Sequence, residues 1–310
     1  MSEDTFTLNA EDGKKIFVHR WMPEKKGNLK GVLQISHGMA EHAGRYREFA
    51  EYLNSLGIGV YANDHRGHGK TAGSLENVGY FADKNGWDLV INDMFQLTER
   101  IRNTHESIPI FLLGQSMGSF LTREYISREK GGVDGAILTG TAGEPGIKGS
   151  LGIIAGKLFC TLLGKNRPDK ILDKSVFGSY NRQFKPARTK FDWLSRDVDE
   201  VDKYIKDDYC GCIFSSGFFV DLFTGLKNVN KMKNIQSISK TLPLLLISGD
   251  KDPLGENVKG VMRVVKAFRK AGIKDVEYKF YKDGRHEMLN ETNRKEVFKD
   301  ISDWINSKLN

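Results

Sequence analysis

Short apolar runs alternate with amphipathic segments along most of the chain, and this alternation limits the possible folds more than any other feature. The apolar runs at residues 30–38, 108–114 and 241–250 each finish at a glycine or a Gly-Asp pair, as buried strands often do. Between such runs, residues 44–57 and 87–105 carry apolar side chains at helical spacing. Because strands that alternate with helices form βαβ units, we predict an α/β fold with a mostly parallel sheet.

The pattern changes at the start and in the middle of the chain. The first 22 residues predict a β-hairpin with its turn at Asp12 and Gly13. Between about residues 141 and 236 the alternation stops, which we interpret as an inserted cap over one end of the sheet. We predict an eight-stranded sheet flanked by helices, with a helical cap after the sixth strand. The predicted divisions are 1–140 and 237–310 for the core and 141–236 for the cap.

Composition excludes several classes of protein. The 310 residues contain no apolar run of about 18, so no transmembrane helix is expected, and the polar N-terminus lacks a secretory signal. Three cysteines, at 160, 210 and 212, are too few for a disulfide framework and predict buried, inert thiols and a cytoplasmic location. The net charge of +7 is dispersed without a nucleic-acid motif, which favours a solvated surface, although it is compatible with anionic lipid.

A Gly-x-Ser-x-Gly motif occurs once, as Gly114-Gln115-Ser116-Met117-Gly118, between an apolar run and a helical pattern. A sharp strand-to-helix turn would force the serine into a strained conformation, and small residues on both sides would avoid clashes. The Ser116 hydroxyl would then project above the sheet at a helix N-terminus, where backbone N–H groups favour an oxyanion. We predict that Ser116 is a nucleophile. The alternative is a serine that only caps the helix.

A serine nucleophile needs a general base, and in this type of fold the order along the chain is serine, acid, histidine. Of the seven histidines only His286 follows Ser116, and it comes directly after the strand-like segment 275–281. The preceding loop offers Asp250 and Asp252 as the acid. We favour Asp252, because two extra residues let the loop turn towards the histidine, whereas Asp250 could cap that turn. Activity should fall as the pH drops through the His286 pKa, at about 6–7.

A second oxyanion donor is expected on the loop after another strand, and residues 36–42 supply a loop that contains glycine. The backbone N–H groups of Met39 and Met117 are the candidate pair. The same loop carries His37 and His42, which would suggest a metal. Because no third ligand is apparent beside them, we predict no metal ion and no cofactor.

Five blocks occur in this order along the chain: HGMAEHAGRY, VYANDHRGHG, FLLGQSMGSF, SGDKDPL and RHEMLNE. Together they resemble the monoacylglycerol lipase and lysophospholipase branch of the α/β-hydrolases, within the serine aminopeptidase-like hydrolases. The match covers about residues 31–140 and 240–309. The resemblance implies the α/β-hydrolase fold and esterase activity on lipids, with Ser116, Asp252 and His286 at the motif positions. Met39 and Met117 fall at the positions of the oxyanion donors.

Two residues depart from the pattern of this branch. Gln115 stands where many relatives carry histidine, and because its side chain is outside the triad we expect modest consequences. Met39 stands where some relatives have a smaller residue. Only its backbone is needed, but the larger side chain would narrow the entrance for an acyl chain.

The cap contains two apolar clusters, at residues 151–164 and 214–223. We predict that they line an acyl pocket, and the first could also touch a bilayer. The alternative is that they only pack the cap onto the core. The predicted substrate-binding residues are Leu151, Ile154, Leu158, Phe159, Phe218 and Phe219.

These features predict a serine hydrolase that cleaves carboxylic esters, most simply monoacylglycerol or lysophospholipid-type lipids. A proline-releasing aminopeptidase is the alternative, and it would need acidic cap residues such as Glu144, Asp199 and Glu200. A binding protein with a relic site is a third reading, which the intact serine, aspartate and histidine set disfavours. The predicted partners are a lipid or ester substrate and a membrane surface touched by the cap, with no nucleic acid. Head group, acyl length and oligomeric state stay open.

Overall fold

A single sheet organises the chain. The computed structural model describes residues 2–24, 29–128, 132–144 and 146–309. The strands are β1 (Ser2–Asn9), β2 (Lys15–Met22), β3 (Gly31–Ser36), β4 (Ile58–Asn63), β5 (Ile110–Gln115), β6 (Gly135–Thr139), β7 (Leu244–Gly249) and β8 (Val276–Tyr281). They lie in the order β1-β2-β4-β3-β5-β6-β7-β8. Because β2 is antiparallel to both neighbours and the other pairs are parallel, the prediction of a mostly parallel eight-stranded sheet is confirmed.

Helices cover both faces of the sheet. They are α1 (Arg47–Ser55), α2 (Gly86–Thr104), α3 (Met117–Arg128), α4 (Gly146–Leu163), α5 (Lys170–Phe177), α6 (Val198–Lys206), α7 (Ser216–Val229), α8 (Met232–Ser237), α9 (Lys259–Lys270) and α10 (Arg294–Ser307). Side chains of α1 and α10 form one apolar core with the sheet, and those of α2, α3 and α9 form the other. Strands β3, β5 and β7 are therefore buried along their whole length, as is usual for parallel strands covered on both faces.

The antiparallel edge of the sheet comes from the predicted N-terminal hairpin. Gly13 has a φ of +81° in the turn between β1 and β2, a conformation that glycine adopts without steric cost. β1 is the outermost strand, and its side chains are exposed or half-buried. The parallel part of the sheet, which carries the candidate site, starts at β4.

Helices α4 to α8 lie between β6 and β7, which confirms the predicted helical cap after the sixth strand. Helix α7 packs against α4 and also against α3. Its Phe218 and Phe219 join the apolar core of the molecule, whereas a smaller apolar cluster inside the cap surrounds Trp193. The domain divisions at residues 140 and 236 stay a prediction. Within the described ranges, no helix combines the length and apolar character needed to cross a bilayer.

Two ion pairs fasten the cap to the segment that follows β8. Arg196 Nε lies 2.9 Å from Glu291 Oε2, and the Glu291 side chain is fully buried. Arg294 Nη1, at the start of α10, lies 2.7 Å from a carboxylate oxygen of Asp197, the N-cap residue of α6. The cap is therefore held beside the loop that carries His286.

Candidate active site

Ser116 occupies a tight turn between β5 and α3, as the motif predicts. Its φ is +53°, a conformation that is strained for a residue with a side chain. Gly118 passes so close to β3 that a Cβ atom there would collide with the Ser36 carbonyl oxygen. A Cβ atom on Gly114 would collide with the Gly118 carbonyl oxygen. The two glycines of the motif are therefore needed for close backbone approach, and the turn presents Ser116 to the cavity described below.

His286 and Asp252 form a buried pair at the carboxyl ends of the neighbouring strands β8 and β7. His286 Nδ1 lies 3.0 Å from both carboxylate oxygens of Asp252, and the two residues are 2% and 0% exposed. Asp252 Oδ1 also accepts the Leu254 N–H at 2.9 Å. Asp250 instead accepts the Asp283 N–H at 2.9 Å and caps a turn, and among the described residues it is Asp252 whose carboxylate bonds the histidine ring. The geometry favours Asp252 over Asp250 as the acid.

The Asp252 contact decides which nitrogen of His286 can act as a base. A carboxylate accepts hydrogen bonds, so the ring proton resides on Nδ1 and Nε2 keeps its lone pair. Burial acts to lower the pKa of His286, but the carboxylates of Asp252, Glu287 and Glu41 together outweigh it, and the pKa lies above its ordinary value. The imidazole is thus oriented by Asp252 and made more basic by Asp252 together with the nearby carboxylates of Glu287 and Glu41.

Ser116 and His286 line the same cavity, yet the hydrogen bond between them is not formed in this structure. Within the described residues, the Ser116 Oγ atom has no hydrogen-bonded partner. Such bonds are often loose in free enzymes and tighten when substrate binds. The Asp252–His286 pair is therefore pre-assembled, whereas its link to Ser116 still has to be made.

Met39 and Met117, whose backbone N–H groups are the predicted oxyanion donors, both line the cavity. Neither donates to an acceptor within the described part of the chain, so both are available to a ligand. The loop of Met39 is held from inside by the Gly38 N–H, which donates to Glu41 Oε1 at 2.6 Å. From the cap side, the Ala40 carbonyl oxygen accepts the Tyr204 hydroxyl at 2.8 Å. The loop is thereby shaped before substrate arrives.

A buried ion cluster, which the sequence did not predict, joins this loop to the histidine loop. Arg45 Nη1 lies 2.7 Å from Glu41, and the same guanidinium makes two bonds of 2.9 and 2.7 Å to Glu287. Burial raises the pKa of Glu41. Burial acts in the same direction on Glu287, but there the Arg45 guanidinium prevails and lowers the pKa. The spacing of Glu41 and Arg45 is visible in the sequence, whereas Glu287 joins them only through the fold.

Two further contacts to His286 were also missed. The Gln115 side-chain amide donates to the His286 carbonyl oxygen at 3.3 Å, which gives the residue before the nucleophile a role in holding the histidine loop. The Trp193 ring of the cap lies 4.9 Å from the His286 ring, measured between centroids. Both residues line the cavity. The expectation of modest consequences at Gln115 took no account of this contact, and it stays a prediction.

The cavity lies between the cap and the sheet and has a volume of about 410 Å³. Ser116, His286 and the Met39 loop form part of its wall, and the cap forms much of the rest. Cavities of this size hold small-molecule ligands in many proteins. Its large apolar wall residues include Phe120, Leu222, Phe223, Leu226 and Leu254.

The six cap residues that we predicted to bind substrate are not among the described residues of the cavity wall, and that prediction is corrected. Three of them are exposed on the outer face of α4, and one packs partly buried against the core. The other two are buried in the core beneath α7, while residues one turn further along that helix reach the cavity. The residues concerned are Leu151, Ile154 and Leu158 (exposed), Phe159 (partly buried), and Phe218 and Phe219 (core).

A sheet of this order, with a strained serine turn after β5, is the α/β-hydrolase fold. The chain belongs to the serine aminopeptidase S33 family, whose pattern matches residues 27–293. It is 28% identical to a monoacylglycerol lipase of Mycolicibacterium smegmatis over 96% of this chain and 95% of that protein. It is also 28% identical to the human monoglyceride lipase, over 97% of this chain and 89% of that protein.

A crystal structure of a highly thermostable carboxyl esterase from Bacillus coagulans, in complex with glycerol, is similar along the whole length of both chains. Its TM-score is 0.92 and its sequence identity is 26%. The predicted resemblance to the monoacylglycerol lipase branch of the α/β-hydrolases is confirmed by the family and by these relatives.

Proposed function

We propose that the protein is a serine hydrolase that cleaves carboxylic esters of the monoacylglycerol type through an acyl-enzyme on Ser116. The observation that carries this proposal is the pre-assembled Asp252–His286 pair, which shares one cavity with the strained Ser116. The relatives named monoacylglycerol lipase and carboxyl esterase support the same reaction class and favour a glycerol ester over a lysophospholipid.

In the proposed mechanism, His286 Nε2 takes the Ser116 proton while Oγ attacks the ester carbonyl carbon. The negatively charged oxygen of the tetrahedral intermediate accepts hydrogen bonds from the backbone N–H groups of Met39 and Met117. His286 then donates its proton to the departing alcohol oxygen, the C–O bond breaks, and the acyl group remains on Ser116. In the second half of the reaction, His286 takes a proton from water while the water oxygen attacks the acyl carbon. The bond between that carbon and Ser116 Oγ then breaks, His286 returns the proton to Oγ, and the carboxylic acid is released. Throughout, Asp252 keeps the imidazole in the required tautomer and stabilises its charged form.

The decisive experiment measures hydrolysis of a monoacylglycerol and of p-nitrophenyl acyl esters by the wild type and by Ser116→Ala. We expect the variant to lose the activity and the wild type to form a covalent fluorophosphonate adduct at Ser116. Ser119→Ala is the matched control, because the Ser119 hydroxyl only bonds the Ser116 carbonyl oxygen within the same turn. Full activity in Ser116→Ala would contradict the proposal.

The aminopeptidase alternative has less support than ester hydrolysis, although one acidic residue of the cap, Asp173 on α5, lines the cavity. It required acidic cap residues near the nucleophile, and Glu144, Asp199 and Glu200 are not among the described residues of the cavity wall. Glu200 is instead engaged by Lys203 at 2.7 Å on the surface of α6. Turnover of an aminoacyl amide at a rate comparable to that of an acyl ester would reverse this preference.

We further propose that the enzyme works in the cytoplasm and that the outer face of α4 rests on lipid surfaces. Four large apolar side chains follow one another at helical spacing on this face, and each is more than half exposed. An exposed apolar stripe of this kind is typical of helices that lie in a membrane interface. The residues are Leu151, Ile154, Leu158 and Leu162, which are 59%, 65%, 55% and 67% exposed.

Sedimentation with phosphatidylcholine vesicles that contain some phosphatidylglycerol tests this contact. The double variant Ile154→Asp, Leu158→Asp should stay in the supernatant while it still hydrolyses a short soluble ester. Leu75→Asp is the control, because Leu75 is a similarly exposed leucine, 50% exposed, outside the cap. Equal sedimentation of the wild type and the double variant would refute the contact.

A further inference from the structure

Three side chains of metal-ligand type meet where the cap touches the core, outside the catalytic set. His42 follows the loop of Met39, whereas Asp207 and Cys210 lie on the turn after α6. One ligand atom from each, a ring nitrogen, a carboxylate oxygen and the thiol sulfur, lies within 4.8 Å of the other two. His42 Nε2 and Asp207 Oδ2 are 2.9 Å apart. The sequence concealed this group, because His42 and Asp207 are 165 residues apart.

We propose that His42, Asp207 and Cys210 form a binding site for a divalent cation of the Zn²⁺ class. Imidazole, carboxylate and thiolate are the protein ligands that Zn²⁺ takes, whereas Mg²⁺ and Ca²⁺ prefer oxygen ligands alone. Three protein ligands leave one position of a tetrahedral ion for water. His42 and Asp207 are partly exposed and Cys210 is buried, so the ion has a route in from solvent and a sheltered sulfur ligand.

The charges around the site also favour a cation. Cys210 lies within the electrostatic reach of Arg45, but also of the carboxylates of Asp207, Glu41 and Glu287. The Arg45 guanidinium is already paired with Glu41 and Glu287. Arg45 is therefore compensated by its own two partners, and a divalent cation would compensate the Asp207 carboxylate and the Cys210 thiolate, whose charge burial disfavours.

Binding requires a defined rearrangement of protons. In the free protein, His42 Nδ1 accepts the Gly44 N–H at 3.2 Å, so the ring proton sits on Nε2 and is donated to Asp207. When Nε2 binds the ion, that proton moves to Nδ1, and the Cys210 thiol releases its proton to solvent and becomes a thiolate. The hydrogen bond from the Gly44 N–H to His42 is lost. The ion gains bonds to the His42 nitrogen, the Asp207 oxygen and the Cys210 sulfur.

A bound ion would link the cap to the oxyanion loop. The Gly211 N–H, next to Cys210, donates to the Ala40 carbonyl oxygen at 3.0 Å, and the Tyr204 hydroxyl donates to the same atom. Ala40 directly follows Met39, whose N–H is the proposed oxyanion donor. The ion would therefore reinforce an existing contact between cap and core, and we expect it to raise the Tm of the folded protein.

Titration of the full-length, reduced protein with Co²⁺ tests the site, because a cobalt–thiolate bond gives a charge-transfer absorption band. We expect one Co²⁺ per chain with this band, and displacement of Co²⁺ by Zn²⁺. The variants Cys210→Ser and His42→Ala should lose the band and weaken binding by more than about tenfold. Cys160→Ser and Cys212→Ser are matched controls, since they remove the other thiols and should keep the band.

Absence of the band in the wild type would overturn the proposal, as would its persistence in Cys210→Ser. A band that disappears in Cys212→Ser but remains in Cys210→Ser would also overturn it, because the sulfur ligand would then be a different residue. Asp207→Asn preserves side-chain size and should weaken binding, which keeps the test decisive if Cys210→Ser fails to fold. The readout is independent of ester hydrolysis, so failure of the metal site and failure of the proposed enzymatic function are distinguishable.

Discussion

Two opposing effects act on the imidazole of His286. The ring is fully buried, and burial disfavours its charged form, whereas the Asp252 carboxylate at 3.0 Å favours it. Asp252, together with the carboxylates of Glu287 and Glu41, prevails, and the pKa of His286 is raised above its ordinary value of 6.5. A base of higher pKa takes a proton more readily, but it also loses its neutral form at a higher pH.

The first prediction is a pH profile whose acid side is set by His286. Only the neutral imidazole accepts the Ser116 proton, so kcat/KM should fall about tenfold per pH unit below the pKa. Because that pKa is raised, the midpoint should lie above 6.5. In Asp252→Asn the midpoint should move to lower pH, while kcat falls by about 10⁴. Rates between pH 5 and 9 check this, and a flat profile would contradict the role of His286.

The second prediction concerns the residue after the Ser116 turn. In Gly118→Ala, the new methyl group would meet the Ser36 carbonyl oxygen of β3, which is backbone and cannot rotate away. We expect a loss of about 1–3 kcal/mol in the free energy of unfolding, and lower kcat because the turn is displaced. Urea unfolding measures the first effect and ester hydrolysis the second.

Gly73→Ala is the comparison for this variant. No atom lies within 4 Å of a Cβ atom at Gly73, but its φ of +81° is unfavourable for alanine. That strain alone costs about 1–2 kcal/mol, and it should leave kcat unchanged. Unchanged kcat in Gly118→Ala as well would mean that the turn tolerates the displacement.

Among the elements, the short segment before α1 connects two loops of the candidate active site. It carries Glu41 and Arg45, and these residues connect the Gly38 N–H of the oxyanion loop to Glu287, the neighbour of the catalytic base candidate. Two loops from opposite ends of the chain are thereby held against each other by buried charges. Buried ion clusters of this kind are costly to break, because each partner is left without compensation.

The third prediction follows from this cluster. Arg45→Met leaves Glu41 and Glu287 buried without a cation, and the free energy of unfolding should fall by about 3–5 kcal/mol. The kcat value should fall too, because both loops lose an anchor. Arg47→Met is the control two residues further on, where the arginine side chain is 60% exposed and its ion pairs are worth about 0–1 kcal/mol. Similar losses of stability in both variants would contradict the special role of the cluster.

Periodicity and chain order predicted the strands, the helices that flank them and the set Ser116, Asp252 and His286. Those features depend on local patterns and on the rule that the serine, the acid and the histidine follow one another in this order along the chain. The cap could not be predicted in the same detail. Leu158 on α4 and Leu226 on α7 both lie on apolar helical faces, yet the first faces outward and the second faces the cavity. The sequence of an apolar helical face does not show whether that face will contact the core, a cavity or a lipid.

At the scale of the whole molecule, the cavity exists only because the cap docks on the core. Ser116 and Met39 come from loops of the sheet, whereas Leu222 and Leu226 come from α7 of the cap. The ion pair between Arg196 and the buried Glu291 helps to fix this docking. Substrate selectivity therefore depends on the contact between cap and core. The longest acyl chain that the cavity accepts should depend on the volume of the cap side chains that line it.

The last prediction tests this view with Leu226→Trp. A larger side chain on the cavity wall should exclude part of a long acyl chain, and each excluded methylene costs about 0.8 kcal/mol, or about fourfold in kcat/KM. We expect kcat/KM to fall for a dodecanoyl ester and to change little for a butanoyl ester. Leu158→Trp places the same indole on the outer face of α4, where Leu158 is 55% exposed. This variant should leave the ratio of kcat/KM for the dodecanoyl ester to that for the butanoyl ester unchanged. An equal fall for both esters in Leu226→Trp would show that the residue affects folding of the cap and not chain length.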